Sequence, residues 1–266
     1  MGRFFKLRQE PALWVRVCAG GACLFLILLL WSIVTYGDPP ETRRISPVIL
    51  PSPREVLASF HSLWFDRELT RNTGMSLQRV LAGFGLAALI GVPLGILCGT
   101  WPPANAFFAP ISVFLRNVPI AALVPLTLVW FGMDEMQKVM FIVMACVMFV
   151  VFDAARAVAS VNERYVQTAL TLGASKRQVV MKVLVPLALP DVFGSLRLLF
   201  GLAFGYIIMV ELMHADGGLG KLIDTSMRRG PREHIYLLLA TITVVAYLID
   251  RVLYFIQGKL FPFRET

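Results

Sequence analysis

The chain has 266 residues, of which 57% are hydrophobic and 16% charged, and its mean hydropathy is +0.71. A soluble domain is about 45–50% apolar and about 25% charged, so the composition excludes a water-soluble globule, and its apolar richness excludes disorder. The net charge of +8 comes from 25 basic and 17 acidic residues; most of the basic ones lie in gaps between apolar runs, where they flank and orient membrane spans, so a nucleic-acid partner is not expected.

The first apolar run covers residues 17–36, which is 20 residues, or about 30 Å of helix, enough to cross a bilayer core. Arg3, Lys6, Arg8 and Arg16 precede it. The run is long for a signal peptide, and Gly37-Asp38-Pro39-Pro40 is a poor cleavage site, so a retained helix with a cytoplasmic N-terminus is expected. Residues 37–75 are polar and are placed outside. Within them, Ser52-Pro53-Arg54-Glu55 has the form of a capping box with proline at the first helical position. Val56, Leu57, Phe60, Leu63 and Trp64 follow at helical spacing. An amphipathic helix of three turns at the outer membrane surface is predicted.

Residues 80–115 carry no charge over 36 positions, too many for one span, and Trp101-Pro102-Pro103 divides them. Helices are predicted over 76–99 and 104–129, then over 137–158, 188–212 and 235–257. The expected fold is an all-α polytopic bundle of six spans with both ends in the cytoplasm. It divides into an N-terminal helix with its external segment (1–72), a transmembrane core (73–258) and a short tail (259–266).

Gly91, Gly95 and Gly99 recur four apart, as do Gly201 and Gly205, a spacing that lets helix backbones touch in lipid. Pro110, Pro119 and Pro125 imply a kinked or unwound third span, tolerated only against protein or a wet cavity. Arg116 in that span either faces the bundle interior or reaches an interface. Arg197 and Glu211 lie 14 residues apart, close to four helical turns, and share a face near Gly201 and Gly205. Glu211 is a candidate partner for Arg116; a structural ion pair and a substrate role both remain open.

Catalytic motifs are absent. Gly217-Gly218-Leu219-Gly220-Lys221 resembles a phosphate loop but has Ala215 and Leu222 at positions where that loop needs glycine and a hydroxyl residue. His61, His214 and His234 are too scattered for a metal site. Cys18, Cys23, Cys98 and Cys146 read as small buried hydrophobes.

The segment 159–187 is laid out as a structured knob. A short helix through residues 165–172 ends at Gly173, a C-terminal cap. Ser175 and Gln178 form a second capping box, and Pro186 and Pro190 bracket the exit into the next span. Here Gln167-Thr168-Ala169, Gly173 and Val183-Leu184-Val185-Pro186 resemble the EAA loop of ABC-importer permeases: Glu-Ala-Ala, three residues, Gly, nine residues, Ile-x-Leu-Pro. Gln167 replaces the glutamate and Thr168 the first alanine. Further stretches are similar to the taurine, alkanesulfonate, nitrate and bicarbonate permease group. They are Leu50-Pro51-Ser52-Pro53, Ser76-Leu77-Gln78-Arg79 with Gly83-Phe84, and Gly91-Val92-Pro93-Leu94-Gly95. Leu115-Arg116-Asn117-Val118-Pro119, Leu123-Val124-Pro125-Leu126, Trp130-Phe131-Gly132, and Glu211 followed by Gly218-Leu219-Gly220 complete the set.

The resemblance implies a type I ABC-importer permease in the cell (inner) membrane, carrying a small anion such as a sulfonate, nitrate or bicarbonate. It implies a second copy of the chain, ATPase subunits that bind ATP and Mg in place of this chain, an extracytoplasmic binding protein, and a surrounding lipid bilayer. Coupling to the ATPase would fall to Gln167, Thr168, Ala169, Leu170, Leu172, Gly173, Ala174 and Ser175, with Ala169, Leu170 and Leu172 as apolar contacts. Arg116, Pro119, Arg197 and Glu211 would line the pathway, and Gly218, Leu219 and Gly220 would form an external gate loop. The rival readings are an ion-coupled secondary carrier, for which no inverted repeat is evident, and an assembly subunit with no transport role.

Overall fold

The computed structural model of the chain describes residues 12–37, 43, 45–213 and 215–262; Asp38-Pro39-Pro40, Arg3, Lys6, Arg8, Arg44 and His214 lie outside the described residues. Ten helices are found among those described: α1 Leu13–Val34, α2 Pro53–Ala58, α3 Leu69–Thr100, α4 Pro102–Arg116, α5 Ile120–Phe131, α6 Glu135–Ala159, α7 Glu163–Thr171, α8 Lys176–Met213, α9 Leu219–Arg229 and α10 Glu233–Leu260. Of these, α1, α3, α6, α8 and α10 are long and apolar enough to cross a bilayer, and the α4–α5 pair counts as a sixth span. One end of the bundle carries α2 and α9, the other α7.

The core is a parallel seam between α3 and α6, along which Gly83 meets Ile142 and Gly99 meets Val158. Side chains on one helix face recur at i, i+4, and on α3 that stripe is Gly83, Ala87, Gly91, Gly95 and Gly99. A Cβ at Gly91 would lie 2.7 Å from Val150 Cγ1, and one at Gly95 2.6 Å from the Val151 carbonyl oxygen. The two backbones therefore touch, which is how helices associate where lipid supplies no hydrophobic drive. α8 closes over this pair with Phe200, Ala203, Phe204 and Ile207. The Phe84 and Phe200 rings meet edge to face at 5.4 Å, the arrangement that aromatic quadrupoles favour.

Gly201 and Gly205 do not form a second seam: both are exposed, and a Cβ at either meets nothing within 4 Å. Their spacing permits close approach, but no helix among the described residues approaches. α1 stands apart, with none of its apolar stretch buried. It is tied at its C-terminal end, where Trp31 Nε1 donates to the Pro51 carbonyl at 3.0 Å. Cys18 and Cys23 on α1 are exposed, so the buried-hydrophobe expectation holds for Cys98 and Cys146 alone.

Several boundaries differ from those read in the sequence. α3 begins at Leu69, so a domain boundary after residue 72 falls inside a helix. The third span is two helices bent by 99° at residues 117–119. The break falls where Val118 precedes Pro119, a position at which the α region is disfavoured, while Pro110 and Pro125 stay inside their helices. The external amphipathic helix is shorter than three turns: α2 ends at Ala58 and a π turn follows at Ser62–Asp66. Ser59 and Ser62 hydroxyls bond to the carbonyls of Val56 and Ser59 at 2.7 and 3.0 Å and so compete with the regular ladder. Pro186 does not end the second knob helix, because a π turn at Val180–Leu184 widens the spiral around the Lys182 carbonyl, which its ring would otherwise strike.

Candidate functional site

The α7 knob is built as its residues require. Asn162 caps α7 by accepting from the Arg164 N–H at 3.0 Å. At the other end Gly173 has φ +83°, Gly173 N–H donates to Leu170 O at 2.9 Å, and Ala174 N–H to Ala169 O at 3.0 Å. That pair of bonds is a Schellman motif, which needs a left-handed residue at Gly173. Ser175 and Gln178 then complete the expected capping box. No α7 residue is fully buried. Leu170 and Leu172 point outward, with Leu172 83% exposed, whereas Ala169 is half-buried against its own chain. Gln167 and Thr168 are exposed on the same helix. The knob thus offers a short rigid helix with two unpartnered leucines.

The opposite end holds a buried polar network that brings together residues from four helices. Glu211 of α8 has no solvent exposure. Its partner is Arg79 of α3, at 2.6 Å, and not Arg116. The correction has a geometric cause: Arg79 lies on the α3 face packed against α8, whereas Arg116 sits at the α4–α5 break and turns to α6. Ser76 Oγ lies 2.8 Å from both Glu211 oxygens, and Gly220 N–H donates to Oε2 at 2.9 Å. The carboxylate therefore fills the N-terminus of α9, where free amides and the helix dipole favour an anion. Gly218 has φ +116°, and a Cβ there would collide with the Glu211 carboxylate. The phosphate-like glycine run is thus occupied by the chain's own acid. Arg79 also grips Glu135 with two bonds of 2.6 Å, and Lys138 Nζ donates to Glu135 at 3.0 Å. Two buried cations and two carboxylates balance, as burial of charge demands.

Among the described residues Arg116 makes no ion pair or side-chain hydrogen bond. Its guanidinium carbon stands 3.9 Å from the Phe152 ring centroid and 5.4 Å from that of Phe149, a cation–π seat. Its Nε is buried without a hydrogen-bond partner. Pro119 marks the helix break beside it. Arg197 serves a different contact from Glu211: its Nε meets Asp250 at 2.8 Å and its Nη1 meets Gln257 at 3.2 Å, both on α10. The interior stripe from Arg197 to Glu211 does not form: Arg197 lies near the middle of α8 and turns to α10, Glu211 lies at its C-terminal end and turns to α3, and Gly201 and Gly205 are open between them. Arg197 instead lines a cleft of about 1120 Å³ at the α7 end. His61 and His234 lie at the α2 end, where the His234 ring nitrogen Nε2 is 2.8 Å from Ser62 Oγ. No group of metal-holding side chains occurs among the described residues.

The sequence names Arg79 only within the Ser76–Arg79 stretch and gives it no role, and it does not single out Glu135 or Lys138. The signal for Arg79 was present: Asn72, Ser76 and Arg79 fall at i, i+4 and i+7, a polar stripe that runs on into the glycine seam.

These features define a helical membrane subunit with an exposed helical knob at one end and a buried charge network at the other. Its fold is similar to that of the MetNI methionine ABC transporter in inward facing conformations. The TM-score is 0.66 at 22% identity, covering 76% of this chain and 98% of that one. It is also similar to a bacterial alginate ABC transporter, with TM-score 0.56 at 16% identity over 94% and 98% of the two chains. The chain belongs to the family of binding-protein-dependent transport system inner membrane components, whose profile matches residues 91–264. It is 30% identical to the taurine transport system permease protein TauC of Escherichia coli over 91% of this chain and 88% of that one. It is 34% identical to the bicarbonate transport system permease protein CmpB of Synechococcus elongatus over 86% and 84%. It is therefore a non-catalytic permease subunit of an ABC importer, in the inner membrane, and the secondary-carrier reading is set aside.

Proposed function

We propose that the chain forms, with a second copy of itself, the membrane path for a small anion of the sulfonate, nitrate or bicarbonate kind. The observation that carries this reading is Arg116, a cation near the middle of a broken span, seated on two aromatic rings with no acid against it. An arginine without a counter-charge in the membrane is costly, and a passing anion offsets that cost. Relatives named for taurine and bicarbonate support the same class of cargo. In this reading the α7 knob faces the cytoplasm and docks on the ATPase that binds ATP and Mg. Gln167, Thr168, Leu170 and Leu172 supply contacts, and Gly173, Ala174 and Ser175 set the turn. Arg197 lines the inner vestibule. Gly218, Leu219 and Gly220 belong to the outer gate, where an extracytoplasmic binding protein releases its cargo. The coupling is one two-state equilibrium biased by ATP at one end and by the loaded binding protein at the other.

The test is uptake of labelled taurine, nitrate and bicarbonate by the assembled transporter in liposomes. Arg116→Gln should lower anion flux about tenfold or more, the scale of one hydrogen bond to a charged group, with membrane abundance unchanged. Undiminished flux would refute the assignment.

A further inference from the structure

The loop that enters α9 is tied residue by residue. Gly217 O accepts from Arg79 Nη1 at 2.7 Å. Gly218 N–H donates to Asn72 Oδ1 at 2.7 Å, Leu219 N–H to Ser76 Oγ at 2.9 Å, and Gly220 N–H to Glu211 Oε2 at 2.9 Å. Asn72, Ser76 and Arg79 share one face of α3, so a single helix holds three of the four ties, and Glu211, itself bonded to Ser76 and Arg79, holds the fourth. Gly220 has no clearance, since a Cβ there would lie 2.6 Å from the Ile208 carbonyl, whereas one at Gly217 would meet only the flexible end of Met75, 2.8 Å from its Sδ, and the Asn72 side chain. Arg79 then reaches past the loop to Glu135 at the start of α6, the helix that α3 already meets along its glycine seam.

A lid must have a hinge whose opening leaves no buried group stranded. Here, swinging the loop away from α3 would strip Glu211 of one amide, leave Arg79 without a carbonyl and free two amides at once. Resting on the reading of this end as the outer gate, we propose that the 217–220 loop and α9 are not a lid but a rigid extension of α3, with Arg79 as the positioning residue that bolts them together. Opening of the outer end carries α9, α3 and the first turn of α6 as one body, and any relative movement takes place against α5 or the second copy.

Two measurements on the assembled transporter in lipid test this. Hydrogen exchange at Gly218, Leu219 and Gly220 is followed without nucleotide and in the ATP-trapped state. The expected result is slow exchange in both, because the ties persist; faster exchange in either state overturns the proposal. In the second, Asn72→Cys with Gly217→Cys is oxidised to a disulfide. Equal uptake before and after oxidation supports a rigid body, and a loss of uptake that reduction restores shows a moving lid and overturns it. Failure of the underlying gate reading has its own signature. A cysteine at the exposed Val129 of α5, labelled by an impermeant thiol reagent equally in both states, would remove the gate and with it the part assigned to Arg79.

Discussion

At Gly173 a Cβ would meet nothing within 4 Å, so a substitution there acts through backbone conformation alone. Holding φ near +83° costs a β-branched residue about 1–3 kcal/mol. Gly173→Val should therefore insert and accumulate normally yet lose uptake and substrate-stimulated ATP hydrolysis, whereas Gly173→Asn, tolerant of the left-handed region, should retain much of both. Glu211 and Arg79 predict the opposite pattern. Removing one partner strands a buried charge, at a cost of about 3–5 kcal/mol, so Glu211→Gln and Arg79→Met should each cut membrane abundance. Immunoblotting of membranes compares these with Arg116→Gln, which strands no acid and should not fall. Outside the membrane, Glu55 gives a pH signature. Burial raises its carboxyl, but bonds from the Ser52 N–H and from Arg43 outweigh burial and hold it below the usual range. A depressed folded value contributes stability above the unfolded value of about 4.3, lost as pH falls through the folded one. Proteolysis between residues 43 and 52 should accelerate below about pH 4, and Glu55→Gln should remove that dependence.

The α3–α6 seam and the open face of α8 carry the same four-residue glycine spacing with opposite consequences. Gly95→Val drives side-chain atoms into the α6 backbone, and overpacking of this kind costs about 1–3 kcal/mol or more. Gly201→Val adds a side chain to empty space. Thermal unfolding in detergent should drop for the first and stay level for the second, and equal drops would contradict the seam as drawn. This is also where the sequence stops being informative. Spacing announces that a backbone can be approached, but it does not say whether the visitor is this chain, lipid or another copy. The helices themselves were legible because apolar run length is set by bilayer thickness, and the knob because Gly173, Ser175 and Gln178 act within a few residues of one another. The π turns were not, since they arise from hydroxyl and proline competition that helical spacing does not register. Arg79 was named only as part of a motif because its two acids lie 56 and 132 positions away, beyond any local pattern.

For the whole molecule, alternation of spans puts α7 on one side of the membrane and α2 with α9 on the other. Reporter fusions at Lys176 should register cytoplasmic, and those at Glu68 and Arg229 external; an external Lys176 would be incompatible with access to ATP. The distance of Arg79 from its acids also has a meaning during synthesis. At about 5–20 residues per second, Glu135 leaves the ribosome roughly 3–11 s after Arg79, and Glu211 roughly 7–26 s after it. For that interval the nascent protein holds a cation and a bare glycine groove that the insertion machinery must shelter. Glu135 is the first counter-charge to arrive, and α6 brings the matching surface with it. Translation-arrested chains that end shortly before residue 135 should be prey to membrane quality-control proteases, and chains that extend past α6 should escape them. Glu135→Gln should make the longer chains vulnerable again, so a glutamate that is more than half exposed in the finished subunit matters most before the subunit is complete.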